Sequence, residues 1–262
     1  MIDGALPYLR CPICAQPLAR LERALRCARG HSFDMARQGY ADLSAGRLPH
    51  TGDSAAMVAD RETFLAAGHY DFIADAIAAE APSGFLVDAG VGTGFYLSRA
   101  LGETSSGVGL DVSKPALRRA ARAHPRAAAV LTDLWRPLPI ADGAATAILN
   151  VFAPRNGAEF RRILRPGGVL LVVTPTAEHL RELVTPYGMI GVDPDKEQRV
   201  RDSLDDYFGL KATRVLKRAL RLTAAEANTL IGMTPSAHHG ATAPENDVTV
   251  TAAINLSAYS PN

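Results

Sequence analysis

Two sets of residues in this chain have the types and spacing to do chemistry. The first is Cys11-Pro-Ile-Cys14 together with Cys27-Ala-Arg-Gly-His31. A C-x2-C knuckle and a second short Cys/His knuckle supply four sulfur and nitrogen donors, the set that tetrahedral zinc takes. With no position left open for water, such a zinc would be structural. The three cysteines all lie before residue 28. An odd count argues against a disulfide framework and for a reduced, cytoplasmic setting. A thioredoxin-like reading of Cys11 to Cys14 lacks its βαβ context. A segment of about 45 residues cannot bury enough surface to fold alone. Metal binding, worth about 10–16 kcal/mol in zinc-finger peptides, would supply what is missing.

The second set is Asp88-Ala-Gly90-Val-Gly92-Thr93-Gly94, with Asp111 and Asp133 further on. The glycines follow an expected strand and open an expected helix, where backbone passes close to a bound nucleotide. Their spacing is G-x-G-x-G. A dinucleotide fingerprint would want glycine at 95, where Phe95 stands. Asp111 falls at the end of the next strand, placed to accept both ribose hydroxyls of an adenosine. Asp133 falls at the end of the third, where an adenine amino group needs an acceptor. Three acids at the carboxyl ends of successive parallel strands converge on one crevice. Taken together they fit a ligand with a ribose, an adenine and a cationic amino-acid tail but no phosphates, namely S-adenosylmethionine.

The elements that must position these residues can be read from apolar spacing. Ser54 to Ala81 is helical, with Asp53 and Ser54 as cap residues. Strands are expected at 85–89, 107–112, 127–131, 144–152 and 169–174, and helices at 95–101, 114–123 and 158–164. That alternation means a parallel sheet covered on both faces. Residues 178–207 read as helices with a loop at 188–194. Residues 211–222 and 248–256 alternate as strands that pair antiparallel at the sheet edge, and Thr223 caps a helix to Ile231. Residues 1–48 form a zinc-binding module and 49–262 a larger domain, joined by a polar hinge at 47–53.

Charge and composition set further bounds. The chain has 262 residues, 28 Lys plus Arg against 27 Asp plus Glu, and a net charge of +1. That excludes a polybasic protein holding nucleic acid by bulk charge, but not a local basic face. Arg10, Arg20, Arg23, Arg26, Arg29, Arg37 and Arg47 crowd the first 48 residues, and further arginines lie at 118–126 and 155–165. Surface arginines on a zinc ribbon suit RNA phosphates; a plain solvated surface is the alternative. No apolar run is long enough for a membrane span, and the N-terminus is not a secretory signal.

The chain resembles the bacterial 23S rRNA (guanine-N1)-methyltransferases, including those that give macrolide producers self-resistance. The resemblance runs through both cysteine knuckles, Gly52-Asp53-Ser54, Gly68-His69-Tyr70, the loop 88–94, Gly109 to Lys114, Phe152-Ala-Pro154, Arg165-Pro-Gly-Gly168, His179-Leu180 and Met233-Thr-Pro235. It implies an α/β fold, a class I methyltransferase Rossmann-like sheet carrying a small zinc ribbon. It also implies a homodimer, a zinc module gripping a 23S rRNA hairpin, methyl transfer to one guanine N1 in domain II, and contact of Tyr70 and His179 with the cofactor. Amino methyltransferases carry Asn-Pro-Pro-aromatic after the fourth strand; Asn150-Val-Phe-Ala-Pro154 stands here and suits a ring-nitrogen target better. The run to Asn156 points to the macrolide-resistance branch. Alternatives are methylation of the neighbouring guanine in the same hairpin, or of a small molecule, which would leave the zinc knuckles unexplained.

Methyl transfer from a sulfonium is an in-line displacement, accelerated by alignment and exclusion of water. Guanine N1 carries a proton at neutral pH, so an acceptor is expected near it. Asn150, Glu178 and His179, after the fourth and fifth strands, are the candidates.

Overall fold

A computed structural model of the chain describes residues 2–48 and 52–262. Pro49, His50 and Thr51, in the middle of the expected hinge, lie outside the described residues.

The first elements are small: α1 (Ile2–Ala5), β1 (Leu18–Leu21), β2 (Ala24–Cys27), β3 (Ser32–Asp34) and β4 (Ala41–Asp42). Two helices follow, α2 (Ala55–Ala66) and α3 (Asp71–Glu80). The alternating region contains β5 (Phe85–Ala89), α4 (Phe95–Ala100), β6 (Ser106–Asp111), α5 (Lys114–Ala123), β7 (Ala127–Leu131), β8 (Ala145–Val151), α6 (Gly157–Ile163) and β9 (Leu164–Pro175). The chain ends with α7 (Arg181–Tyr187), α8 (Lys196–Leu204), β10 (Phe208–Leu222), α9 (Ala224–Gly232) and β11 (Val248–Pro261).

β1, β2 and β3 form a small antiparallel sheet. The large sheet has eight strands in the order β10-β11-β9-β8-β5-β6-β7-β4. Its strands from β9 to β4 run parallel, and β10 and β11 add an antiparallel hairpin at one edge. Every residue of β5, β7 and β8 is buried, as expected when helices cover both faces. One apolar cluster on one face gathers Phe64, Ile73, Leu97 and Leu117; another on the other face gathers Ile2, Leu9, Phe160 and Leu204. The chain runs outward from β5 to β7, then returns to place β8 beside β5. That reversal opens a crevice at the carboxyl ends of β5 and β8, where ligands bind in open α/β sheets. No helix among the described residues is long and apolar enough to cross a membrane.

Several elements differ from the sequence expectations. The helical stretch 54–81 is two helices. Gly68 adopts φ +81° and turns the chain, a left-handed conformation that glycine takes without steric cost. Tyr70 then stands at the corner rather than inside a helix. Ser54 is the cap, its hydroxyl accepting the Met57 N–H at 3.3 Å. The fifth strand begins at Leu164, with a register irregularity opposite Ala145 to Ala147. The two-residue β4 carries no sequence signal, yet it pairs with β7 and extends the large sheet. Tyr8 stacks on Phe85 with centroids 4.0 Å apart, a second tie between the N-terminal segment and the sheet.

Candidate active site

The cysteine knuckles converge. The ligand atoms of Cys11, Cys14, Cys27 and His31 lie within 4.8 Å of one another. Cys14 and Cys27 sulfurs are 3.7 Å apart, and His31 Nδ1 is 3.5 Å and 3.4 Å from the Cys11 and Cys27 sulfurs. Zinc bonds of about 2.0–2.3 Å in a tetrahedron separate ligand atoms by about 3.5–3.8 Å, so the donor set fits zinc. The turns that shape it use left-handed backbone at Ala15 and Gly30.

A cleft of about 800 Å³ opens at the carboxyl ends of the parallel strands. Gly90, Gly92, Thr93, Asp111 and Asp133 line it, with Tyr70 and His179 opposite. Asp111 uses one oxygen to accept the Gly92 N–H at 2.9 Å and the other to accept the Ser113 N–H at 2.8 Å. The acid at the second strand end thus fixes the glycine loop as well as facing the cleft. Burial pushes its carboxyl above the usual range. Asp133 accepts the Trp135 N–H at 3.0 Å, which holds its carboxylate at the end of β7.

Asp88 and Gly94 do not line the cleft. A Cβ on Gly94 would meet Ala120 and Ala123 of α5, so this glycine permits helix packing. Asp88 is buried behind the loop and accepts the Leu97 backbone N–H. It therefore caps the first turn of α4, whose own N-cap is Gly94 and offers no side chain. Its Oδ1 has no hydrogen-bond partner. Burial, reinforced by the nearby Asp111, raises its pKa to about 8. A cation bound nearby would favour its ionised form.

The three candidates for handling the guanine proton separate. Asn150 is buried and its amide donates to the carbonyls of Ala89 at 3.0 Å and Pro154 at 2.8 Å. It pins the chain after β8 to the end of β5. Glu178 points away from the cleft into an exposed pairing with Lys217 at 2.8 Å and Arg181 at 3.4 Å. His179 alone of the three lines the cleft. Its Nε2 is 3.4 Å from the Tyr70 hydroxyl, and burial lowers its pKa to about 4.

Sequence reasoning missed several cleft residues. Arg61 pairs with Asp53 and donates to the Met233 carbonyl at 2.8 Å, tying together three segments of the wall. Nothing in an isolated helical arginine announces that role. Phe152 adopts φ +52°, a conformation costing a bulky residue about 1–2 kcal/mol. It presents a ring 42% exposed at the mouth, 5.9 Å between centroids from His179 and 6.4 Å from Tyr70. Trp135, 59% exposed, lines the same cleft. These are planar surfaces on which a nucleobase can stack.

Residues 9–45 match the family model for the RlmA N-terminal zinc ribbon, and residues 87–172 match a methyltransferase domain model. The methyltransferase domain implies S-adenosylmethionine as cofactor, and the ribbon implies structural zinc. A chain in the solved complex between the Haloferax volcanii Trm112 methyltransferase activator and a methyltransferase shares the fold, with TM-score 0.50 and 18% identity, covering 79% of this chain and 96% of that one. A Streptomyces fradiae protein named 23S rRNA (guanine(748)-N(1))-methyltransferase is 46% identical over 91% of this chain and 89% of its own. A Micromonospora griseorubida protein with the provisional name 23S rRNA (guanine-N(1)-)-methyltransferase is 51% identical over the full length of both. With relatives 46% and 51% identical over nearly all or all of its length, the chain belongs to the 23S rRNA (guanine-N1)-methyltransferase family.

Proposed function

We propose that this protein methylates N1 of a single guanine in a domain II hairpin loop of 23S rRNA, the target of the macrolide-resistance branch. The observation that carries this reading is the joining of a Cys3His ribbon to a methyltransferase cleft whose mouth exposes aromatic rings. A small-molecule methyltransferase would leave the ribbon unexplained. The Streptomyces fradiae relative, whose name specifies guanine 748, supports the choice of guanine.

Residues 1–48 serve as the zinc module and 49–262 as the methyltransferase domain, in a cytoplasmic homodimer. The cofactor, when bound, supplies an electrophilic methyl group on a sulfonium. Asp111 accepts the ribose hydroxyls, Asp133 the adenine amino group, and Gly90, Gly92, Thr93 and Tyr70 shape the cleft around the remainder. Asp88 keeps the glycine loop in place from behind. The target base leaves its stack for the slot beside Phe152, at least cost from a hairpin loop. His179 meets it, or the cofactor, with an N–H. The N1 proton passes to an oxygen acceptor in the cleft or to water, because neither Asn150 nor Glu178 lines the cleft.

The test is incubation with labelled S-adenosylmethionine and unmodified 23S rRNA hairpin, then primer extension. N1 methylation blocks Watson–Crick pairing, so one stop at one guanine is expected. Label without a stop moves the target off N1, and no label on RNA removes the reading. A stop at the neighbouring guanine assigns the protein to the other branch. For the resistance target, a sensitive host carrying the gene becomes less susceptible to tylosin- or mycinamicin-type macrolides.

A further inference from the structure

Arg155 and Lys196 are two half-buried cations at the cleft, near enough for the Arg155 charge to act on Lys196. Arg155 follows Pro154 of the cleft wall, and its guanidinium is turned back toward that wall by donating to the Ala153 carbonyl at 3.1 Å. Its Nε is buried and has no hydrogen-bond partner. Lys196, the first residue of α8, lines the cleft itself. α6 and α8 are held close by Gly157, where any Cβ would strike the Ser203 carbonyl. Asp193, the carboxylate whose charge acts on Lys196, is engaged by Arg199 at 2.8 Å and by the Asp195 N–H at 2.9 Å. Among the described residues neither Arg155 nor Lys196 has an ion-pair partner.

Burial opposes both charges, and the Arg155 charge further opposes that of Lys196. The Arg155 pKa is lowered by desolvation, and that of Lys196 by desolvation and then by Arg155. Two partly desolvated cations held side by side cost stability unless an anion fills the gap between them. A charge-assisted contact to a buried guanidinium N–H is short and strong. The cleft mouth beside them carries Phe152, Trp135 and Ile190, all exposed. An anion next to a slot for a planar base is what a nucleotide presents.

We infer that Arg155 and Lys196 form a phosphate site that holds a backbone phosphodiester of the RNA at the flipped guanine, fixing the base in the cleft. The inference rests on RNA being the substrate.

The test uses the full chain with zinc. Affinity for the 23S rRNA hairpin is measured with S-adenosylhomocysteine present, at several salt concentrations, for wild type, Arg155→Gln, Lys196→Gln, Arg155→Lys and the double variant. Loss of a phosphate contact on a single strand should flatten the plot of log affinity against log salt by about 0.7. Each glutamine variant should bind about tenfold more weakly at low salt. The double variant should be little worse than either single one, because both serve one phosphate. Arg155→Lys should recover part of the loss. S-adenosylhomocysteine affinity, which also reports folding, should stay within about twofold of wild type.

Unchanged RNA affinity and salt slope in both glutamine variants overturns the site. So does a loss of S-adenosylhomocysteine affinity that accounts for the RNA defect, which would assign the pair to the cofactor carboxylate. If inorganic phosphate at millimolar concentration competes with cofactor and not with RNA, the pair again belongs to the cofactor. A wild-type protein that fails to bind the hairpin removes the RNA reading first, and this inference with it.

Discussion

The backbone N–H of Ala253, in β11, donates to Nδ1 of His179 at 3.2 Å. That bond makes Nδ1 the acceptor and leaves the ring proton of neutral imidazole on Nε2. The pKa near 4 keeps the ring neutral. His179 therefore offers the cleft a donor, suited to a carbonyl, a carboxylate or the Tyr70 hydroxyl, and not a lone pair to receive the guanine proton. His179→Ala should lower kcat by about 100-fold, whereas His179→Gln, with an amide N–H near the Nε2 position, should recover at least tenfold. Glutamine no better than alanine would refute the donor role. A histidine whose folded pKa is depressed contributes stability above its unfolded pKa of about 6.5, lost as pH falls toward 4. Over that interval wild type should lose more Tm than His179→Gln.

Asp88 leads to an opposite pH dependence. An acid whose pKa rises on folding, here to about 8, destabilises the fold progressively as pH climbs from about 4 to 8. Asp88→Asn keeps the acceptor for Leu97 and removes the buried charge. Its Tm should exceed that of wild type by a margin that grows between pH 5 and pH 8. Affinity for S-adenosylmethionine should fall at least tenfold at pH 8. A Tm difference that does not change with pH would show that Asp88 is not the titrating group.

Much of this was legible in the sequence, for physical reasons that also explain the gaps. The succession of strands and helices along the chain, the Gly90–Gly94 turn and the Cys3His knuckles are local patterns, in which residue type and spacing dictate the backbone. Asp111 could be placed because it ends a strand directly after the loop it serves. Arg61 could not, because its partners, Asp53 and the Met233 carbonyl, come together only by tertiary packing. Glu178 and His179 are neighbours in sequence, yet Glu178 pairs with Lys217 and Arg181 while His179 lines the cleft. Asp88 has a clear signature, yet its place behind the loop rather than in the cleft required coordinates.

Gly90 and Gly92 should respond differently to alanine. Both have positive φ, at +93° and +53°. A Cβ on Gly90 would overlap the Ala153 methyl, whereas at Gly92 the nearest atom is the Arg61 guanidinium at 3.6 Å. Gly90→Ala should destabilise the fold by about 2–4 kcal/mol, the sum of backbone strain and a clash in a packed wall. Gly92→Ala should cost about 1 kcal/mol in folding but intrude on the cleft, weakening S-adenosylhomocysteine binding more than stability. Denaturant titration beside calorimetric binding separates the two effects; equal stability losses would contradict the packing at Gly90.

Zinc removal should separate RNA binding from cofactor binding. The ribbon has too small a core to hold its shape without metal. The described cleft residues begin at Gly52, after the zinc ligands. Chelation, or Cys27→Ser, should release one zinc per chain and abolish hairpin binding in a filter assay. S-adenosylhomocysteine affinity should change by less than about threefold, because β5 to β9 and the glycine loop do not depend on the metal. Melting should show a lower Tm, since Tyr8 on Phe85 and β4 on β7 lose the scaffold that presents them. RNA affinity that survives complete zinc loss would show that the ribbon does not hold the substrate. It would leave the arginines at 118–126 and 155–165 as the sequence's remaining basic surface for RNA.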